Sequence, residues 1–189
     1  MAERAAPGPG VAAAEISTNG VVFWPVAVLV LLVDVVTKAM AVATLIPRGF
    51  PHRVLGDGLR FTLVYNPGAA FGLHVGEHSR WVFLALTAVV LRVLWWLYRT
   101  TRDRDNRRTA ALALLCGGAV GNAIDRLRSA EGVVDFIDVG VGAARWPTFN
   151  VADVAVTLGA ALLAWSLWGE ADEDDTPAAP AAPAAPAAP

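Results

Sequence analysis

Residues 109–127 read TAALALLCGGAVGNAIDRL. The run is apolar and small for most of its length, yet it closes on Asn122, Asp125 and Arg126, groups that hydrocarbon accepts only when other protein covers them. Three further apolar runs, at 21–46, 81–98 and 149–168, are each near the ~20 residues needed to cross ~30 Å of hydrocarbon. The pattern predicts an all-α membrane protein with four transmembrane helices.

Composition agrees. Of 189 residues, 56% are hydrophobic and 17% charged, and the mean hydropathy is +0.50, too apolar for an ordinary soluble domain. A net charge of −2 offers no basic excess for nucleic acid. Lys38 is the only lysine and Cys116 the only cysteine, so no internal disulfide can form.

Arg99, Arg102, Arg104, Arg107 and Arg108 crowd the link between the second and third runs, and short arginine-rich loops stay cytoplasmic. Both termini are then expected in the cytoplasm. The acidic run at 170–175 weighs little in that rule. Trp24, Trp81, Trp95, Trp96, Trp146, Trp165 and Trp168 fall at the ends of the runs, where indole rings prefer the headgroup level. A cleavable signal peptide over the first run is disfavoured because the apolar stretch continues past Asp34 and Lys38. Residues 1–20 and the tail at 170–189, acidic and then Pro/Ala-rich, read as disordered flanks of a single domain at 21–169. In the first and third loops, LRFTLVY at 59–65 and GVVDFIDV at 132–139 have strand character and predict a small extracytoplasmic β-rich cradle.

Charged groups inside spans cost about 2.5 to 3.5 kcal/mol each on insertion scales. Arg92 lies close enough to the cytoplasmic end to snorkel. Asp34 and Lys38, four apart on one helix face, can pair internally and support the fold. Asp125 is 17 residues from Arg108, and Asp153 is 17 residues from Glu170. At 1.5 Å per residue both lie about 25 Å above the inner boundary, near the outer surface, where antiparallel helices could bring them face to face. Lys38, 18 residues above Gly20, reaches a similar level. Asn122 and Asn150 each precede an aspartate by three residues, and Gly117, Gly118 and Gly121 permit close approach of a helix or an extended peptide.

Two carboxyls brought together share a proton, so one can act as acid and the other as base on a peptide bond, without metal or cofactor. Buried acids also serve small proton-coupled transporters, and that reading stays open at the level of spacing. A structural tetraspan protein leaves two acids at matched depth unexplained.

The words around the acids resemble the lipoprotein signal peptidase family: DVVTK at 34–38, NPGAAFG at 66–72, GGAVGNAIDRL at 117–127, VVDFI at 133–137 and FNVAD at 149–153. The resemblance implies an aspartyl endopeptidase of the bacterial cytoplasmic membrane, with its site near the outer leaflet. It would remove signal peptides from diacylglyceryl-modified prolipoproteins by cutting before the lipidated cysteine. Matching motif positions makes Asp125 and Asp153 the catalytic pair, with Asn66, Asn122, Arg126 and Asn150 lining or ordering the site and Asp34 and Lys38 supporting it. The two outer segments would form a cradle and lid. Expected partners are prolipoproteins and membrane lipids, and the chain is expected to act as a monomer. Val154 stands where many relatives carry a small polar residue.

Other signals are weaker. HVGEH at 74–78 fits the H-x-x-E-H zinc pattern but contains Gly76 and reads as a polar loop, not a ligand helix. Ser129 is the only serine near the depth of Lys38, and Cys116 reads as a packed small residue. Asp135 and Asp138 are expected to face water from a strand, with the VVDFI word leaving Asp135 open to a site role.

Overall fold

The computed structural model describes residues 18–68 and 76–174. The N-terminal extension up to residue 17, the tail from 175, and residues 69–75, which include the end of the NPGAAFG word and His74, lie outside the described residues. Among the described residues four helices, α1 (Asn19–Thr44), α2 (Ser79–Thr100), α3 (Asn106–Arg128) and α4 (Val151–Asp174), are each long and apolar enough to span a membrane. Four strands, β1 (His52–Leu55), β2 (Leu59–Asn66), β3 (Val133–Val141) and β4 (Ala144–Arg145), form one antiparallel sheet in the order β1-β2-β3-β4. The strands come from the links after α1 and after α3, as the alternating segments predict; β1 and β4 are too short to leave a sequence signal.

Burial along α1 is reversed relative to a water-soluble helix. Leu29 is 62% exposed and Met40 60%, while Asp34 is fully buried and Lys38 is 3% exposed. Water would penalise that pattern; a hydrocarbon solvent favours it, because apolar side chains face lipid and charges turn inward.

Helix α3 is the central element and packs against the other three. Its glycines make this possible. A methyl group on Gly117 would stand 2.8 Å from the Ala27 carbonyl of α1, and one on Gly118 would stand 2.9 Å from Val156 Cγ2 of α4. Gly121 abuts the Asp34 carboxylate. All three are therefore covered by neighbouring helices, as close packing requires. Asp105 caps α3 by accepting the Arg108 amide at 3.0 Å.

Two apolar clusters bracket the length of α1. Phe23 packs with Leu94, Leu112 and Ala113 at one end, where Trp24, Trp95 and Tyr98 add ring contacts. At the other end Ala41 and Leu45 meet Leu63, Val134 and Phe136 from the underside of the sheet. Asp34 and Lys38 fall between these clusters, so the polar site lies within the bundle just beneath the sheet.

Candidate active site

Lys38 is the hub of the first half of the site. Its Nζ lies 2.7 Å from Asp34 Oδ2 and 2.8 Å from Asp125 Oδ2, and it donates to Asn122 Oδ1 at 2.8 Å. Three acceptors match the three N–H bonds of an ammonium. Asp34 also reaches across the bundle with its other oxygen, Oδ1, which accepts the Ala152 amide in the first turn of α4 at 2.9 Å. That anchor satisfies one of the orphan N–H groups of the helix start and puts a negative charge at its positive end.

The start of α4 builds the second half. Asn150 stands just before the helix; its Oδ1 accepts from Asp153 N at 3.0 Å, while Asp153 Oδ2 accepts from Asn150 N at 3.1 Å. This reciprocal pair has the logic of a capping box, with an amide and a carboxylate in the two capping places. Asn150 is therefore a cap, not a member of the helix face. Asp153 Oδ1 accepts from Asn122 Nδ2 at 2.8 Å, which ties α4 to α3.

A fourth acid completes the cluster. Asp135 on β3 is 3% exposed and accepts from Asn150 Nδ2 at 2.7 Å and from Asn66 Nδ2 at 3.1 Å. Asn150 Nδ2 also lies 3.1 Å from Asn122 Oδ1, and Asn66 Oδ1 accepts the Gly68 amide at 3.0 Å. Burial, together with the charge of nearby Asp153, raises the Asp135 carboxyl to about 7 against the opposing pull of Asn66, Asn150 and Lys38.

The residues singled out from sequence thus meet, but with a different pairing. Asp34, Lys38, Asn122, Asp125, Asn150 and Asp153 share one network, and Asn66 joins it through Asp135. Arg126 Nη1 donates to the Asn122 carbonyl at 3.3 Å, and its guanidinium lies 5.3 Å from the centre of the Phe83 ring. Asp125, expected to face Asp153, is bonded instead to Lys38, and its Oδ2 also accepts the Val134 amide at 3.3 Å. Asp34 and Lys38 are not a closed pair, because Lys38 serves Asp125 and Asn122 as well. Nor do Asp135 and Asp138 face water: both acids are buried, Asp135 against Asn66 and Asn150 and Asp138 against Thr62 and Arg145. Strand alternation alone could not locate them, and the VVDFI word was the one available signal.

The remaining signals resolve locally. Within 74–78, residues 76–78 form a single 3-10 turn before α2, while His74 lies outside the described residues. Ser129 Oγ accepts the Glu131 amide in the turn after α3, and Cys116 packs against the Phe23 and Leu112 cluster. Val154 belongs to the wall of a groove of about 320 Å³, with Trp146, Phe149, Thr157 and Leu158, and Asp153 is the acid on that largely apolar wall.

The helices and this cluster define a multi-pass membrane protein whose acids and amides converge inside the bundle, beneath a small sheet. Two solved structures described as bacterial membrane enzymes share the fold. One is 31% identical with a TM-score of 0.72, covering 87% of this chain and 95% of the other; the second is 33% identical with a TM-score of 0.67, covering 81% and 94%. A family model described as Signal peptidase (SPase) II matches residues 26–169, and the chain belongs to that family of lipoprotein-processing proteases. The lipoprotein signal peptidase of Paraburkholderia phymatum is 44% identical over 140 residues, 73% of this chain and 82% of that protein. That of Pelotomaculum thermopropionicum is 41% identical over 145 residues, 77% and 90% respectively.

Proposed function

We propose that this chain is an aspartyl endopeptidase that removes signal peptides from diacylglyceryl-modified prolipoproteins, cutting before the lipidated cysteine, with Asp135 and Asp153 as its catalytic pair. One observation carries the assignment: Asp135 is buried beside Asp153 and both are held by amide donors, whereas Asp125 is bonded to the ammonium of Lys38. Asp125 then takes a positioning role with Lys38, Asp34 and Asn122.

The chemistry follows from one shared proton. Asp153, ionised, takes a proton from a water molecule as the water oxygen attacks the scissile carbonyl carbon. Asp135, protonated, donates to the carbonyl oxygen. Collapse of the tetrahedral diol returns a proton to the leaving nitrogen and regenerates the pair. Neither a metal nor a cofactor enters. Asn66, Asn150 and Asn122 hold the carboxyls in orientation, and Arg126 lies near enough to Asp153, Asp135 and Asp125 to bias their charge and receive polar groups of the substrate. The apolar groove ending at Asp153 suits a lipid-embedded segment next to the bond to be cut.

In this reading the arginine-rich loop and both termini are cytoplasmic, the sheet forms an extracytoplasmic cradle, and the pair lies near the outer leaflet of the bacterial cytoplasmic membrane. The chain acts as a monomer among membrane lipids. A proton-coupled transporter is not favoured for a member of a protease family. The test uses purified protein in detergent micelles with a lipidated precursor, comparing Asp135→Asn, Asp153→Asn and Asp125→Asn. The first two are expected to abolish cleavage and the third to leave a measurable rate. Retained cleavage by Asp135→Asn together with a dead Asp125→Asn would restore the Asp125–Asp153 pairing. A precursor lacking the lipid should turn over far more slowly; equal turnover would break the interfacial placement.

A further inference from the structure

Asp138, the second buried acid of β3, has no part in the chemistry above, yet its surroundings are built. It is 8% exposed, its Oδ1 accepts from Arg145 Nε at 2.7 Å, and its Oδ2 accepts from Thr62 Oγ1 at 3.1 Å. Thr62 sits in the β2 bulge that lies opposite the stretch between Asp135 and Ile137. The same Arg145 guanidinium donates through Nη2 to the Asp138 carbonyl at 2.9 Å and through Nη1 to the Asp57 carbonyl at 2.6 Å. A planar fork of donors suits such multiple attachment, and a lysine could not reproduce it.

Two chain routes leave this clamp, and each ends at one acid. Along β3 the chain runs from Asp138 back to Asp135. From Arg145 onward it doubles back beside β3: Trp146 N donates to the Val139 carbonyl at 2.8 Å, and Phe149 N to the Ile137 carbonyl at 3.0 Å. The next residue is Asn150, whose side chain holds Asp135 and whose backbone N–H holds Asp153. Separation of the two routes at Arg145 would shift one acid relative to the other.

We propose that Arg145, held by Asp138, is a positioning residue for cleavage: it sets the separation of Asp135 and Asp153 by fastening the two segments that present them. This rests on the assignment of those acids as the catalytic pair. Misplacement of reacting groups by even a fraction of an ångström lowers turnover without removing the surfaces that bind substrate.

The experiment measures kcat and KM on a lipidated precursor with the full chain in detergent. Arg145→Met should lower kcat by about 10- to 100-fold with KM changed less than about twofold. Arg145→Lys, which keeps the charge but not the fork, should fall between. Arg53→Met, which removes a cation beside the Asp57 side chain without touching β3, should leave kcat unchanged. The double variant Asp138→Asn/Arg145→Met should be no slower than the slower single variant, since both remove one contact. Wild-type kcat in Arg145→Met, a loss explained wholly by a smaller folded fraction, or an equal loss in Arg53→Met would overturn the proposal. If Arg145→Met does not fold, unchanged kcat in Arg145→Lys overturns it equally. Cleavage surviving Asp135→Asn would instead remove the catalytic assignment, so the two failures are distinct.

Discussion

Four aspartates meet in this site, and they divide into two kinds. Asp34 and Asp125 both reach the ammonium of Lys38, whereas Asp135 and Asp153 receive hydrogen bonds from the amides of Asn66, Asn122 and Asn150. The difference teaches that the ammonium ties α1 to α3, while in the proposed mechanism the amide-held pair carries the chemistry.

The largest effect that would break this division is on cleavage itself. Asp135→Asn should lower kcat by about 10²- to 10⁴-fold, the range ascribed to a general acid, while the variant stays folded in detergent. A rate within about tenfold of wild type would place Asp135 with the structural acids. Next in size is Lys38→Met, which leaves the buried Asp34 and the partly buried Asp125 without their cation. It should cost about 3 to 5 kcal/mol of stability, read as a lower melting temperature or loss of folded protein in detergent. If the variant melts with the wild type, Lys38 does not hold the helices.

A smaller effect separates the two kinds by pH. The Asp135 carboxyl stands at about 7 in the folded chain against an ordinary value of 3.8, so the folded state binds more protons than the unfolded state between those values. Its contribution to stability is therefore fully present below 3.8 and is lost as pH rises through about 7. Activity that needs the protonated form should decline over the same alkaline limb. Asp135→Asn should flatten the dependence of melting temperature on pH between 4 and 8; an unchanged slope would assign it to other groups. The smallest effect belongs to the exposed pair of Arg48 and Glu131, 2.7 Å apart with both side chains more than half exposed. Glu131→Gln should shift stability by less than about 1 kcal/mol and leave kcat alone, in contrast to every change at Lys38.

Much of this was legible in the sequence. Four spans follow from apolar runs of the right length, and the strand segments at 59–65 and 132–139 both form. Equal counts from the helix ends brought Asp125 and Asp153 to the same end of α3 and α4. The cluster's membership was largely readable too, since charges and amides in apolar helices must turn toward one another. Its pairing was not. Asp34 and Lys38 fit an i,i+4 pair, and nothing local indicates that the ammonium also reaches Asp125 on α3. Asp135 was read as facing water because a strand pattern does not reveal that Asn66 and Asn150, from distant parts of the chain, cover it.

What the sequence by itself determined was the solvent, the number of spans, the level of the polar groups along their helices and the family words, because each depends on composition or on fixed rise along a helix. Tertiary structure alone decided which acid Lys38 neutralises and which acid is left beside Asp153. Both depend on distances between segments far apart in the chain, set by glycine contacts between helices and by strand register, and no local periodicity encodes them.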